Sequence, residues 1–231
     1  MQVTIVGNGS MARGIATRAL AGRHDVVIAG RAEARAKSLV ERLEGAGRAM
    51  SQSIDQPIAG DMVVLAVPYL AAGEVLVRLR SHLTGKILVD ITNPVNETVD
   101  GLITPFGSSA AEQIARQVPS GSMVVKAFNT NFARTLMSGE VSGQPLDVFI
   151  AGDDVDATSD VADLVRDGGM RPVVVGPLAR ARQLEQLALL GMLIQQPLGL
   201  GFESGWKLVP AGPGAGQGSR PQTPGHQWAG R

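Results

Sequence analysis

A hexapeptide near the start of the chain, Gly7-Asn8-Gly9-Ser10-Met11-Ala12, constrains the fold more than any other segment. It matches G-x-G-x-x-A and sits between a β-branched run, Gln2–Val6, and a helical pattern, Ser10–Leu20, in which Met11, Ile15, Ala19 and Leu20 share one face. In that setting each small residue has a steric role. Gly7 allows the tight turn, Gly9 lacks the Cβ that would keep a pyrophosphate off the backbone, and Ala12 lets the helix pack close to the strand. The start of the helix adds unpaired N–H groups and partial positive charge, which attract phosphate. Dinucleotide binding is therefore the expected use of this turn, and a Rossmann-type, doubly wound α/β domain its expected setting.

The remaining chain follows the same alternation. A strand at Val26–Ala29 precedes a helix at Ala32–Leu43 and a weak strand around Ala49, and the continuous apolar runs Met62–Val67 and Ile87–Ile91 read as central strands covered on both faces. Asn93–Gly121 is loop-rich with one helix, opened by the capping box Ser109-Ala110-Ala111-Glu112. Strands follow at Met123–Ala127, Val148–Ala151 and Pro172–Val175; Asp153 or Asp154 caps a helix running to about Arg166, and Leu178–Ile194 forms the last long helix. The expected architecture is a mainly parallel sheet in one domain, residues 1–210, ending in a short helical extension. Residues 211–231 are rich in Gly and Pro and nearly free of aliphatic side chains, so they are expected to form a disordered tail.

Composition narrows the chemistry. Twenty-one basic residues balance 21 acidic ones, which argues against a general nucleic-acid binder. No cysteine is present, so thiolate nucleophiles, disulfides and zinc–thiolate sites are excluded, and the three histidines are too scattered for a metal motif. The chain opens on an apolar strand without a basic leader, and Leu187–Ile194 is far shorter than the roughly 20 apolar residues of a membrane span, so a cytoplasmic protein without membrane contact is expected.

The end of the second strand, about twenty residues beyond the glycine turn, selects the nucleotide. NAD enzymes place a carboxylate there, but this chain reads Ala29-Gly30-Arg31, with Arg35 one helical turn on. Arg31 and Arg35 are suited to the 2′-phosphate of NADP(H), each charged hydrogen bond contributing about 1.5–3 kcal/mol. Tyr69 is the only tyrosine and Gly73 stands four residues later, which removes the Tyr-x-x-x-Lys pair of short-chain dehydrogenases. Too little chain follows Ile194 for the all-helical second domain of hydroxyacid dehydrogenases and imine reductases. An acceptor that delocalises the added charge itself, such as a flavin or deazaflavin, needs mainly orientation from the protein.

The chain resembles the coenzyme F420-dependent NADP oxidoreductases, whose fold also forms the cytosolic domain of six-transmembrane metalloreductases. The likeness spans about residues 1–209 and rests on the glycine turn, Gly30-Arg31, Ala66-Val67-Pro68-Tyr69, Thr92-Asn93-Pro94, and Val125-Lys126-Ala127-Phe128-Asn129-Thr130. It continues through Ala151-Gly152-Asp153-Asp154, Gly176-Pro177-Leu178 and Gly199-Leu200-Gly201-Phe202-Glu203. The resemblance implies that Ser10 and Met11 meet the pyrophosphate beside the cofactor-binding motif residues Gly7, Asn8 and Gly9, and that Arg31 and Arg35 meet the 2′-phosphate at the site Gly30 opens. It puts Val67, Pro68 and Tyr69 beside the adenosine and Thr92, Asn93 and Pro94 near the nicotinamide ribose. Ala127, Phe128, Asn129 and Thr130 then position the nicotinamide and floor the acceptor pocket, with no protein nucleophile. Gly30 replaces the family's usual Ser, and Asn129-Thr130-Asn131 departs from the His-Thr sequence of archaeal deazaflavin reductases towards the metalloreductase branch. FMN or FAD therefore stands beside F420 as co-substrate, and a homodimer is implied. The rival readings are a quinone or ferric-chelate reductase on the same scaffold and a non-enzymatic NADP sensor. The Asp153-Asp154-Asp156 cluster reads as dipole partners of a helix start rather than a cation site, and His24 as solvated or structural. Met192 and Leu193 lie on a helix that either faces the core or offers a dimer contact or a wall of the acceptor pocket.

Overall fold

The computed structural model describes residues 1–45 and 47–210; the expected disordered tail, 211–231, lies outside the described residues. In chain order the elements are β1 Gln2–Val6, α1 Ser10–Ala21, β2 Asp25–Gly30, α2 Glu33–Val40, β3 Ala49–Ser53, β4 Met62–Leu65, α3 Tyr69–Leu79, β5 Ile87–Asp90 and α4 Ala110–Ala115. There follow β6 Met123–Lys126, α5 Ala133–Ser138, the short hairpin β7 Glu140–Val141 and β8 Gln144–Pro145, then β9 Asp147–Gly152, α6 Val155–Asp167, β10 Arg171–Gly176 and α7 Ala181–Leu193.

The main sheet has eight strands in the order β10-β9-β6-β5-β4-β1-β2-β3. The run from β3 to β6 is parallel throughout, and its order reverses between β1 and β4, which makes their carboxyl ends the switch point where open α/β sheets bind ligands. β9 joins β6 antiparallel and β10 runs parallel to β9, so the expected mainly parallel sheet carries one reversed edge pair.

Side chains alternate between two core layers with the period of two that a pleated strand dictates. Val3, Ile5, Met62, Val64, Ile87 and Val89 pack towards α1 and α6, whereas Val6, Val63, Leu65 and Leu88 pack towards α3 and α4. Several boundaries differ from the sequence reading. α2 stops at Val40 rather than Leu43, and Leu178–Arg180 forms a 3-10 turn before α7 begins. β4 ends at Leu65 because Pro68, the N-cap of α3, turns the chain into a helix. That helix is absent from the sequence reading, although Ala72, Val75, Leu76 and Leu79 are buried at helical spacing. Of the two alternatives for His24 the structure shows the structural one: it is buried, its ring 3.1 Å from the terminal amine and 3.1 Å from Asp167.

Candidate active site

The glycine turn lies at the switch point. Gly7 has φ 128°, and a Cβ there would lie 2.1 Å from the Ala66 carbonyl oxygen, so the β1–β4 crossing admits only glycine. Gly9 is the N-cap of α1 with no side-chain cap, and a Cβ at this position would meet nothing within 4 Å. The first turn of α1 thus presents unpaired N–H groups to an open space, a cradle that fits a pyrophosphate. Ala12 is fully buried beneath it.

At the far side of β2, Gly30 is a matter of space rather than strain: a Cβ there would make ordinary 3.6 Å contacts with Asn8 Nδ2 and Ala36 Cβ. Arg31 is exposed, with its Nη1 3.5 Å from Glu74 Oε2 on α3, and Arg35 is exposed on α2. Val67 packs against the α3 side of the core and Pro68 is exposed. Tyr69 ties α3 to α4, its hydroxyl donating to Gln113 Oε1 at 2.8 Å. Burial, then the charges of Glu185 and Asp90, push this phenol above its ordinary pKa.

On the other side of α1 a cavity of about 390 Å³ opens from the same turn. Ser10 and Met11 form one wall; Ile91 and Asn93, after β5, and Asn129 to Arg134, after β6, form the floor; Ala188 and Met192 of α7, with Phe202, close the far side. Ser10, Met11, Asn93, Asn129 and Thr130 are thus brought together around one space. Ala127 and Phe128 do not line it, because their side chains belong to the core, and Thr92 and Pro94 are buried beside Asn93. Phe128 nevertheless shapes the floor. Its backbone is left-handed, φ 60°, with the ring 1% exposed, and this forced turn swings Asn129 and Thr130 back towards the cavity. Asn93 and Asn129 lock together: Asn93 Nδ2 donates to the Asn129 carbonyl at 2.8 Å and Asn129 Nδ2 to Asn93 Oδ1 at 3.0 Å. Asn129 Oδ1, Thr130 Oγ1 and Asn131 Oδ1 are buried just behind the lining, with no hydrogen-bond partner among the described residues.

Beneath the floor lies a feature the sequence reading missed. Lys126, the last residue of β6, is wholly buried and its Nζ donates to Asp90 Oδ2 at 2.8 Å, Glu185 Oε1 at 2.9 Å and the Thr92 carbonyl at 2.5 Å. Burial opposes the ammonium, but Asp90 and then Glu185 outweigh it and hold Lys126 above its ordinary pKa. Burial pushes Glu185 up, against the pull of Lys126 and the Ala110 N–H. The available signal was a lysine inside an apolar strand covered on both faces, which demands buried partners.

Among the described residues Arg134 is the only titratable one lining the cavity, and it pairs with Glu203 at 3.1 Å. The arrangement can orient two ring systems, and among the described residues its lining holds no carboxylate, histidine or lysine. Phe132 and Phe202 meet edge to face with centroids 5.3 Å apart, and Phe202 is held by its N–H to Gln195 Oε1 at 2.9 Å.

Residues 2–94 match the family model described as NADP oxidoreductase, coenzyme F420-dependent. The F420-dependent NADP reductase of Methanothermobacter thermautotrophicus is 32% identical over 205 residues, covering 82% of this chain and 87% of that protein. Metalloreductase STEAP3 of Rattus norvegicus is 31% identical over 188 residues, covering 81% of this chain but only 36% of that longer protein. Among solved structures, a putative F420-dependent NADP reductase from Arthrobacter sp. FB24 superposes with a TM-score of 0.79 at 25% identity, covering 90% of this chain and 99% of the other. No described helix is long and apolar enough to cross a membrane.

Proposed function

The chain belongs to the coenzyme F420-dependent NADP oxidoreductase family, and on that premise we propose that it moves hydride between NADP(H) and coenzyme F420, a deazaflavin. The observation that carries the acceptor class is the cavity: it opens from the phosphate turn itself, has apolar surfaces in Met11, Phe132, Met192 and Phe202, and among the described residues its lining holds no carboxylate, histidine or lysine. Such a site suits a planar ring that stabilises its own added charge. NADPH, when bound, supplies the hydride from its nicotinamide, and solvent supplies the proton that completes reduction of the acceptor. The protein's part is placement. Ser10 and the uncapped α1 start hold the pyrophosphate, and Arg31 and Arg35 hold the 2′-phosphate. Asn93, Asn129 and Thr130 hold the nicotinamide end, while Phe132 and Phe202 cover the acceptor ring.

The test is loss of NADPH absorbance with purified protein and F420, FMN, FAD, a quinone or a ferric chelate. Oxidation with F420 fastest is expected. Preference for FMN or FAD moves the protein to the flavin reading that the metalloreductase likeness favours, and tight NADPH binding without turnover of any acceptor replaces the enzyme with a nucleotide sensor. Arg31→Ala is expected to weaken NADPH by roughly 10- to 150-fold with little effect on NADH, the equivalent of one charged hydrogen bond. Equal losses would remove the 2′-phosphate assignment.

A further inference from the structure

One ammonium faces two carboxylates in the interior behind the cavity floor. Lys126, Asp90 and Glu185 are all wholly buried, and their only ion pairs among the described residues are with one another; with both carboxylates ionised the cluster carries one negative charge more than its counter-ion cancels. The Ala110 and Ala111 N–H groups at the start of α4 donate to Glu185 at 3.0 and 3.4 Å; they disperse that charge without neutralising it.

Three short routes join the cluster to the cavity. Asp90 Oδ1 accepts the Thr92 N–H at 2.8 Å and Lys126 donates to the Thr92 carbonyl, fixing the peptide just before Asn93. Asn129 Nδ2 donates to the Leu184 carbonyl at 3.1 Å, one residue before Glu185. Ala188, one residue short of a full turn beyond Glu185 on α7, lines the cavity itself.

We propose that this buried negative charge biases the nucleotide site towards the oxidised form, so that NADP+ gains more from it than NADPH and bound NADPH becomes the stronger hydride donor. The inference rests on the nucleotide reading of the site given above. The nicotinamide ring is neutral when reduced and cationic when oxidised, so a fixed negative charge in a poorly screened interior distinguishes the two states. Interactions that strengthen as positive charge develops on the ring also speed its loss of hydride. A purely mechanical role for the cluster, holding Asn93 and Asn129 in place, would serve both redox forms equally.

The experiment is calorimetric titration of the purified protein with NADP+ and with NADPH, for the wild type, Glu185→Gln and Asp90→Asn. The wild type is expected to bind NADP+ at least as tightly as NADPH. Each variant removes one carboxylate charge, from opposite sides of Lys126 and from different elements. Each is expected to raise the ratio Kd(NADP+)/Kd(NADPH) about tenfold, as one unit charge acting through a protein interior implies. An unchanged ratio in either variant that keeps the wild-type circular dichroism spectrum overturns the proposal, even if both affinities fall together. A wild-type preference for NADPH overturns it without recourse to variants. Failure to bind either nucleotide overturns the nucleotide reading itself, and is distinguishable because it leaves no ratio to measure.

Discussion

Gly7 shows how much one missing methyl group decides. With φ 128° and an added Cβ only 2.1 Å from the Ala66 carbonyl, Gly7→Ala is expected to cost about 3 kcal/mol in urea denaturation and to abolish NADPH binding. Gly30, equally conspicuous in the sequence, makes only 3.6 Å contacts, so Gly30→Ser should change stability by less than about 0.5 kcal/mol. The motif pattern distinguishes the first glycine, because its spacing encodes a turn; it says nothing about Phe128, whose left-handed backbone follows from the surrounding packing and has no sequence signature. His24 was equally illegible, since its partners are the terminal amine and Asp167, far apart in sequence. Burial, then the neighbouring amine, lowers its pKa below 6.5, while Asp167 pulls the other way. The unfolded chain therefore takes up this proton first as pH falls. The stability that depends on neutral His24 is complete above about pH 6.5 and is lost progressively below it. Melting temperatures measured from pH 7.5 to 5.5 should fall more steeply for the wild type than for His24→Gln; parallel slopes would show that the buried imidazole is not the group titrating.

The elements were mostly legible where one periodicity ruled. β4 is an apolar run buried throughout, β1 and β5 are buried strands rich in Val, Ile and Leu, and the Ser109–Glu112 capping box opens α4 as the spacing requires, with Ser109 accepting the Glu112 N–H. α3 is masked in the sequence because Val67-Pro68-Tyr69 reads as a ligand-side motif, although the same proline begins a helix. α5 was harder, since its place depends on a contact between elements distant in sequence. Gly14, inside α1, faces α5 so closely that a Cβ there would lie 2.8 Å from Leu136 Cβ and 3.3 Å from the Ala133 carbonyl. Glycine within a helix costs about 1 kcal/mol relative to alanine, and here that cost brings α5 against α1. Ala133 and Arg134, the first residues of α5, line the cavity. Gly14→Ala should therefore gain helix propensity yet displace the cavity wall, raising the acceptor KM about tenfold while NADPH KM stays within about twofold. A variant with unchanged acceptor KM would mean that α5 accommodates the methyl group without moving.

For the molecule as a whole, the Rossmann half was readable from the first strand onward, but the way the chain returns to complete the cavity was not. After α7 the segment is fastened at several points. Gln195 holds the Phe202 N–H, Arg134 pairs with Glu203, and Asp147 binds Arg171, Lys207 and the Leu208 N–H. Apart from the Gln195–Phe202 bond, seven residues apart, these contacts reach across tens of residues, with no periodic trace in sequence. They fix Phe202 against the cavity; on the proposed function, Phe202→Ala is expected to raise the acceptor KM without changing NADPH affinity, as steady-state kinetics and a binding titration would separate. The same fastening leaves apolar surface on the outer side of α7: Leu190 and Leu193, three residues apart on one helical face, are 48% and 43% exposed. Leu198, Leu208 and Val209 are exposed in the segment that follows. Scattered exposed leucines are ordinary, but a pair on one face beside further apolar residues is the kind of surface a second copy covers. Sedimentation equilibrium is therefore expected to give a homodimer for the wild type, with Leu190→Glu/Leu193→Glu sedimenting as a monomer. Because both side chains point away from the cavity-lining Ala188 and Met192, the monomeric variant should still bind NADPH; a variant that remains dimeric would place the subunit contact elsewhere.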